Sequence, residues 1–266
     1  MSELTGHPAI KPPAPQSVPV FQVVVTDKKR RSKYVGVGNG VLLDHDTQGG
    51  IIVTNAHLIN FEGGYRSNEC FVYLPHAQRY HRAESNKGWI NWNADLAYVR
   101  LAGVDLSSYP QVSLKTSGFN KYEKIWLMGN VSKGLENRRF VTIPGRVTRW
   151  KSNFGVTLPD VQDMWDMEKK LIVAHDRKRV LYKNYIKFRL FGGNEKIVPK
   201  MSGSALVDQD GKLVGILSKG DGDDGLGIPS AEFKTDNRRP PIHPAVPQEQ
   251  PSFRQRLYSR LAMVAA

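Results

Sequence analysis

Lys200-Met201-Ser202-Gly203-Ser204-Ala205-Leu206-Val207, followed by Asp210-Gly211-Lys212-Leu213-Val214-Gly215-Ile216, decides how the rest of this 266-residue chain is read. A serine before glycine and a small residue leads into an apolar strand, a tight Asp-Gly turn and a second apolar strand, which seats the hydroxyl on a β-hairpin. A hydroxyl is a poor nucleophile at neutral pH. It needs a histidine to take its proton, and the histidine needs a carboxylate to orient it. Ser204 is a second candidate hydroxyl, but the glycine directly after Ser202 favours Ser202.

Working back from that hairpin, glycine-punctuated apolar runs begin at Tyr34, and Ile51-Ile52-Val53-Thr54 ends in Asn55-Ala56-His57. Apolar runs of four to six residues bounded by turn signals favour strand over helix. A histidine after a strand is ordinarily just a surface or core residue, but the small flanking residues here let an imidazole emerge from a barrel wall into a cleft. Asp95 precedes the alternating run Leu96-Ala97-Tyr98-Val99-Arg100-Leu101. Alone it reads as a turn residue; lying between the histidine and the serine, it is the expected third member. Histidine, aspartate and serine then follow one another in the order found on chymotrypsin barrels.

Thr54-Asn55-Ala56-His57, Asp95-Leu96-Ala97, Ser202-Gly203-Ser204-Ala205-Leu206-Val207 and Gly225-Leu226-Gly227-Ile228-Pro229-Ser230 together resemble the signatures of the chymotrypsin-like (trypsin-like) serine peptidases. The similarity spans about residues 21–232 and lies nearest the disulfide-free branch, which holds HtrA-type proteases and proteases of positive-strand RNA viruses. The resemblance implies an all-β fold of two antiparallel six-stranded β-barrels with extended, basic, Pro-rich termini. Its expected divisions are an N-terminal arm at 1–20, a first barrel at 21–115, a second at 116–232 and a basic tail at 233–266. It places His57 and Asp95 on the first barrel, Ser202 on the second, and the active site between them. It further implies an oxyanion hole from the amides of Ser202 and Lys200, a substrate-backbone wall at Ser218, Lys219 and Gly220, and Lys196 near the floor of the primary pocket. A cationic floor would favour an acidic substrate side chain.

Two residues depart from the family pattern. Lys200 stands where glycine is usual, and glycine there turns its amide into the hole without a side-chain penalty. Met201 replaces the aspartate that pairs with a freshly cut N-terminus in secreted trypsin-like enzymes, so activation by such processing is not expected. The implied activity is hydrolysis of peptide bonds through an acyl-enzyme, as in viral polyprotein processing. The alternative is a catalytically impaired protease-fold module that binds nucleic acid, membrane or a protein partner.

Composition bounds the setting. A 40% hydrophobic content is ample for packed cores, and the single cysteine, Cys70, excludes an internal disulfide, as is usual in a reducing compartment. The N-terminal stretch lacks a signal-peptide pattern, which makes the cytoplasm, a host's if the chain is viral, the default location. The mechanism needs no metal or organic cofactor. A net charge of +13 points to polyanions such as nucleic acid or an acidic membrane surface, or to a basic surface that only aids solubility. The clusters Lys28-Lys29-Arg30-Arg31 and Arg254, Arg256 and Arg260 contribute to it. Phe253, Leu257, Leu261 and Val264 recur at helical spacing, and 161–171 has the pattern of a short amphipathic helix.

Overall fold

A computed structural model of the chain describes Pro13 and residues 17–27, 34–59, 68–91, 94–116, 120–132, 138–156, 180–191 and 193–243. The amphipathic segments at 161–171 and 253–264 and the Lys28–Arg31 cluster lie outside the described residues. Twelve strands form two closed antiparallel barrels, each of six strands, as the motif pattern implied. The first contains β1 (Val20–Asp27), β2 (Tyr34–His45), β3 (Gly49–Asn55), β4 (Asn68–Leu74), β5 (Arg79–Asn91) and β6 (Leu96–Ala102), closed in the order β1-β2-β3-β6-β5-β4. The second contains β7 (Lys124–Ser132), β8 (Arg138–Val156), β9 (Val180–Leu190), β10 (Ala205–Asp208), β11 (Leu213–Asp221) and β12 (Asp224–Pro229), closed in the order β10-β11-β12-β9-β8-β7. A single helical turn, α1 (Ala56–Ile59), follows β3, and a short helix, α2 (Ser230–Thr235), follows β12.

Successive strand residues point to opposite faces, and that alternation sorts the apolar side chains into three cores. Ile52, Ala97, Val99 and Leu101 fill the first barrel with Phe21, Val23 and Val72. Leu206, Val214 and Leu217 fill the second with Ile125, Leu127 and Phe188. The neighbours on the same strands, Ile51, Val53, Leu96 and Tyr98 from one barrel and Ala205, Val207, Leu213 and Ile216 from the other, meet in a third cluster between the barrels. Strands buried on both faces explain the near-continuous apolar runs of the sequence.

Order extends beyond 21–232 at both ends. Val18 is fully buried in the inter-barrel cluster, and Ser17 packs near Gly211 of the second barrel. Phe233 of α2 is also fully buried there, and the segment after it returns to the first barrel. Asn91 donates to Asp236 at 3.2 Å, Arg239 pairs with Asp44 at 3.0 Å, and His243 with Asp46 at 2.8 Å. The proline-rich run that reads as a linker therefore begins as a strap, because an aromatic residue at its head must be buried.

Candidate active site

β3 and β6 are neighbours in the barrel although far apart in sequence, and their register ends at Asn55↔Leu96. The next residues along each chain, His57 at the start of α1 and Asp95 just before β6, are thereby brought together. The Asp95 carbonyl accepts the N–H of Ala56 at 3.0 Å and the amide of Asn55 at 3.3 Å. The Asp95 carboxylate accepts the backbone N–H of His57 at 3.0 Å and lies 2.9 Å from His57 Nδ1. Asp95 adopts φ 51°, a left-handed conformation that aspartate tolerates better than most residues. A carboxylate can only accept here, so Nδ1 carries the proton and Nε2 is left as the basic nitrogen.

A further donor comes from the other barrel. The hydroxyl of Ser218, on β11, donates to Asp95 Oδ2 at 2.7 Å, and the carbonyl of the same residue lies 3.5 Å from Ser202 Oγ. Ser218 thus touches the carboxylate with its side chain and the serine with its backbone. The family resemblance pointed only to its backbone; the side-chain role has no local signal in the sequence.

Ser202 sits in the loop before β10 and is partly exposed, whereas Ser204 is fully buried and packed on Gly129. Burial removes Ser204 as a nucleophile. Gly203 has φ 83°, and a Cβ there would lie 1.8 Å from the carbonyl oxygen of Asn39, so only glycine fits between Ser202 and β2. Lys200 also adopts a positive φ, 77°, the conformation glycine would take at this position. Around these two residues the amides of Met201, Gly203 and Ser204 donate to Val198, Leu217 and Met201 carbonyls. Among the described residues, no protein acceptor meets the N–H of Lys200 or of Ser202.

Asn39 holds this loop. It is fully buried, and its backbone N–H donates to the Ser202 carbonyl at 2.6 Å. Its side-chain amide donates to the carbonyls of Asn130 at 3.1 Å and Lys200 at 3.3 Å, while its Oδ1 accepts the Asn130 N–H at 2.8 Å. Thr54 caps the Asn39 carbonyl at 2.6 Å. Asn39 did not stand out among the sequence candidates; a polar residue between Gly38 and Gly40 in a buried strand, which must find partners, was the available signal.

Met201 is fully buried in the second barrel's core, and its sulfur accepts the Val198 N–H at 3.4 Å. An apolar plug thus occupies the place of an ion pair. Lys219 and Gly220 continue along β11 past Ser218. Lys196 is exposed on the loop after β9, while its neighbour Ile197 turns inward: it is buried, its N–H reaches the Gly222 carbonyl at 2.7 Å, and a Cβ at Gly220 would lie 2.6 Å from its Cδ1. Ile197 therefore packs behind Gly220, while Lys196 is exposed. Among the described residues no group of three or more His, Cys, Asp or Glu side chains could hold a metal ion.

Paired six-stranded barrels, with a histidine and carboxylate on one and a serine loop on the other, define a chymotrypsin-like serine endopeptidase. The chain belongs to the trypsin-like peptidase domain family, whose model matches residues 38–216. The fold is similar to that of the Rv3671c protease from M. tuberculosis. In its active form the TM-score is 0.58 at 15% identity, covering 88% of this chain and 91% of that one. In its inactive form the TM-score is 0.52 at 16% identity, covering 82% and 86%. At such identities the likeness concerns the fold. A comparison with curated proteins finds no matching sequence.

Proposed function

We propose that Ser202 is the nucleophile, His57 its general base and Asp95 the residue that fixes the histidine tautomer and stabilises the imidazolium. The observation that carries this reading is the pair of unspent amides at Lys200 and Ser202 beside a hydroxyl, next to the bonded amides of Met201, Gly203 and Ser204. Unspent donors that face a developing oxyanion cost no reorganisation during the reaction, and such donors commonly supply the largest catalytic contribution. Ser202 Oγ leaves a 3.5 Å contact with Ser218, at the limit of a hydrogen bond and cheap to break, and gives its proton to His57 Nε2 as it attacks the peptide carbonyl. The imidazolium returns that proton to the leaving amine, and water, activated by the same nitrogen, releases the acyl group. Lys219 and Gly220 extend the wall along which the substrate backbone lies, and Lys196 acts on substrate only as a rim charge.

Asn39 is a positioning residue in this scheme. By binding the Lys200 carbonyl it holds that residue at a φ that costs a side chain about 1 kcal/mol, in the position where the family commonly uses glycine. On the motif resemblance to positive-strand RNA virus proteases alone, we extend the proposal to a polyprotein substrate in the cytoplasm of a host. A fluorophosphonate probe tests the central claim. Labelling that vanishes in Ser202→Ala supports it; a folded protein that takes no label is instead a binding module.

A further inference from the structure

The outer face of the second barrel carries cations in cross-strand register. Lys124 on β7 lies opposite Arg146 on β8, and Arg146 lies opposite Arg189 on β9. One step along, beyond a bulge, Arg149 faces Lys187. All five are exposed. Directly opposed like charges destabilise a sheet, and an ordinary solvated face avoids them by mixing signs. Asp224 reaches this face and pairs with Arg189 at 2.8 Å, and Asp223 lies near enough to act on the same guanidinium. That pair is half exposed, so it is worth little and exchanges readily for another anion.

Two aromatic rings frame the rows. Tyr122 and Phe191 are 58% and 54% exposed, whereas the other large apolar side chains among the described residues are mostly buried. With Lys124, Arg146, Arg189 and Leu190 they line an open groove of about 330 Å³. Lys121 Nζ and Arg146 Cζ lie 4.9 and 5.6 Å from the Tyr122 ring centre, which holds the ring at the edge of the cationic row. Neighbouring strands stand about 4.8 Å apart, so the row of three cations spans roughly 10 Å.

We propose that this groove binds single-stranded nucleic acid, the cations meeting phosphates and the two rings taking unstacked bases. The chemistry selects that partner. Guanidinium groups at three of the five positions favour planar, bidentate contact with phosphate. A duplex keeps its bases stacked away from exposed rings, and a bilayer is met by projecting apolar side chains, whereas these line a groove. β10 runs antiparallel to β7 with Ala205 opposite Met128 and Asp208 opposite Ile125, so Lys124 and Tyr122 lie at the far end of the barrel from Ser202. A polynucleotide and a peptide substrate can therefore be held together, and the inference does not depend on the catalytic roles assigned above.

Fluorescence polarisation of the full chain with a short fluorescein-labelled oligouridine, over a salt series, tests the groove. Lys124→Gln/Arg146→Gln/Arg149→Gln is expected to weaken binding at least about tenfold and to reduce the slope of log affinity against log salt by about 2, three phosphate contacts at roughly 0.7 each. Its Tm should be unchanged or higher, since like-charge repulsion is relieved; Lys124→Glu alone gives the same direction should the triple variant fail to fold. Tyr122→Ala/Phe191→Ala is expected to weaken oligouridine binding several-fold and leave inorganic polyphosphate binding unchanged. The proposal is overturned if the parent does not bind, if the cation variants bind as the parent does, if the aromatic variant loses nothing, or if phosphatidylserine vesicles bind through these residues in preference to the oligonucleotide.

Discussion

The two halves of the proposed active site follow opposite rules. At the corner formed by His57, Asp95 and Ser218, the carboxylate is saturated: it accepts from the backbone and ring of His57 and from the Ser218 hydroxyl, while its own carbonyl is bonded twice. At the loop from Lys200 to Ser202, two N–H groups are left unspent and a lysine is held at φ 77°. In the proposed reaction the corner keeps one geometry throughout, and its bonds are made beforehand. The loop would receive charge that exists only briefly, and its donors are unspent. Rigidity there comes from β2, through Asn39 and the close approach of Gly203 to it.

Substitutions on each side probe this contrast. Ser202→Ala has the largest expected effect, a loss of about 10⁶ in kcat for peptide hydrolysis with the Tm unchanged. Asp95→Asn comes next: an amide in place of the carboxylate allows the wrong histidine tautomer, with a fall of about 10⁴ in kcat. Asn39→Ala frees the Lys200 carbonyl and is expected to lower kcat by about 10² with little change in KM. Adding Lys200→Gly should recover a good part of that loss, since glycine takes a positive φ unaided. Lys200→Gly alone should scarcely move the Tm, because relief of about 1 kcal/mol of strain is offset by the similar entropy cost of glycine. If the second substitution recovers nothing, Asn39 supports the fold and not the loop, and the contrast fails. Ser218→Ala removes one of several bonds to Asp95, and about a tenfold fall in kcat is expected.

The smallest effect is a reporter of the scaffold. Burial in the first barrel pushes the Cys70 thiol up to about 12, so at pH 8 it stays protonated and enclosed. Iodoacetamide should label Cys70 only in urea, with the midpoint of barrel unfolding; labelling of the native protein would show that this barrel opens where the site needs it rigid.

Much of this was legible in the sequence because it is locally encoded. Short apolar runs between glycine and Asp-Gly turns specify strands, and the His57, Asp95 and Ser202 motifs each sit at the end or start of one. The loop at Lys200 was legible only as a departure, lysine for glycine; the bond from Asn39 to the Lys200 carbonyl is reached through the packing of β2 against the loop. Ile197, one residue after Lys196, carried no signal of its own in the sequence, and of the two side chains the apolar one took the interior. The reach of the ordered chain to Val18 and past Phe233 was hidden for a similar reason, since an isolated apolar residue beside prolines says nothing about the cluster it will join.

That crossing of the ends has a mechanical meaning. The first barrel's leading segment is clamped against the second, and the second barrel's trailing segment is latched to the first through Asn91, Asp44 and Asp46. The molecule is a lap joint, with each half fastened by a tongue from the other. Neither half can be lifted away without tearing out a piece of its neighbour, because the seam between the barrels is locked at both margins.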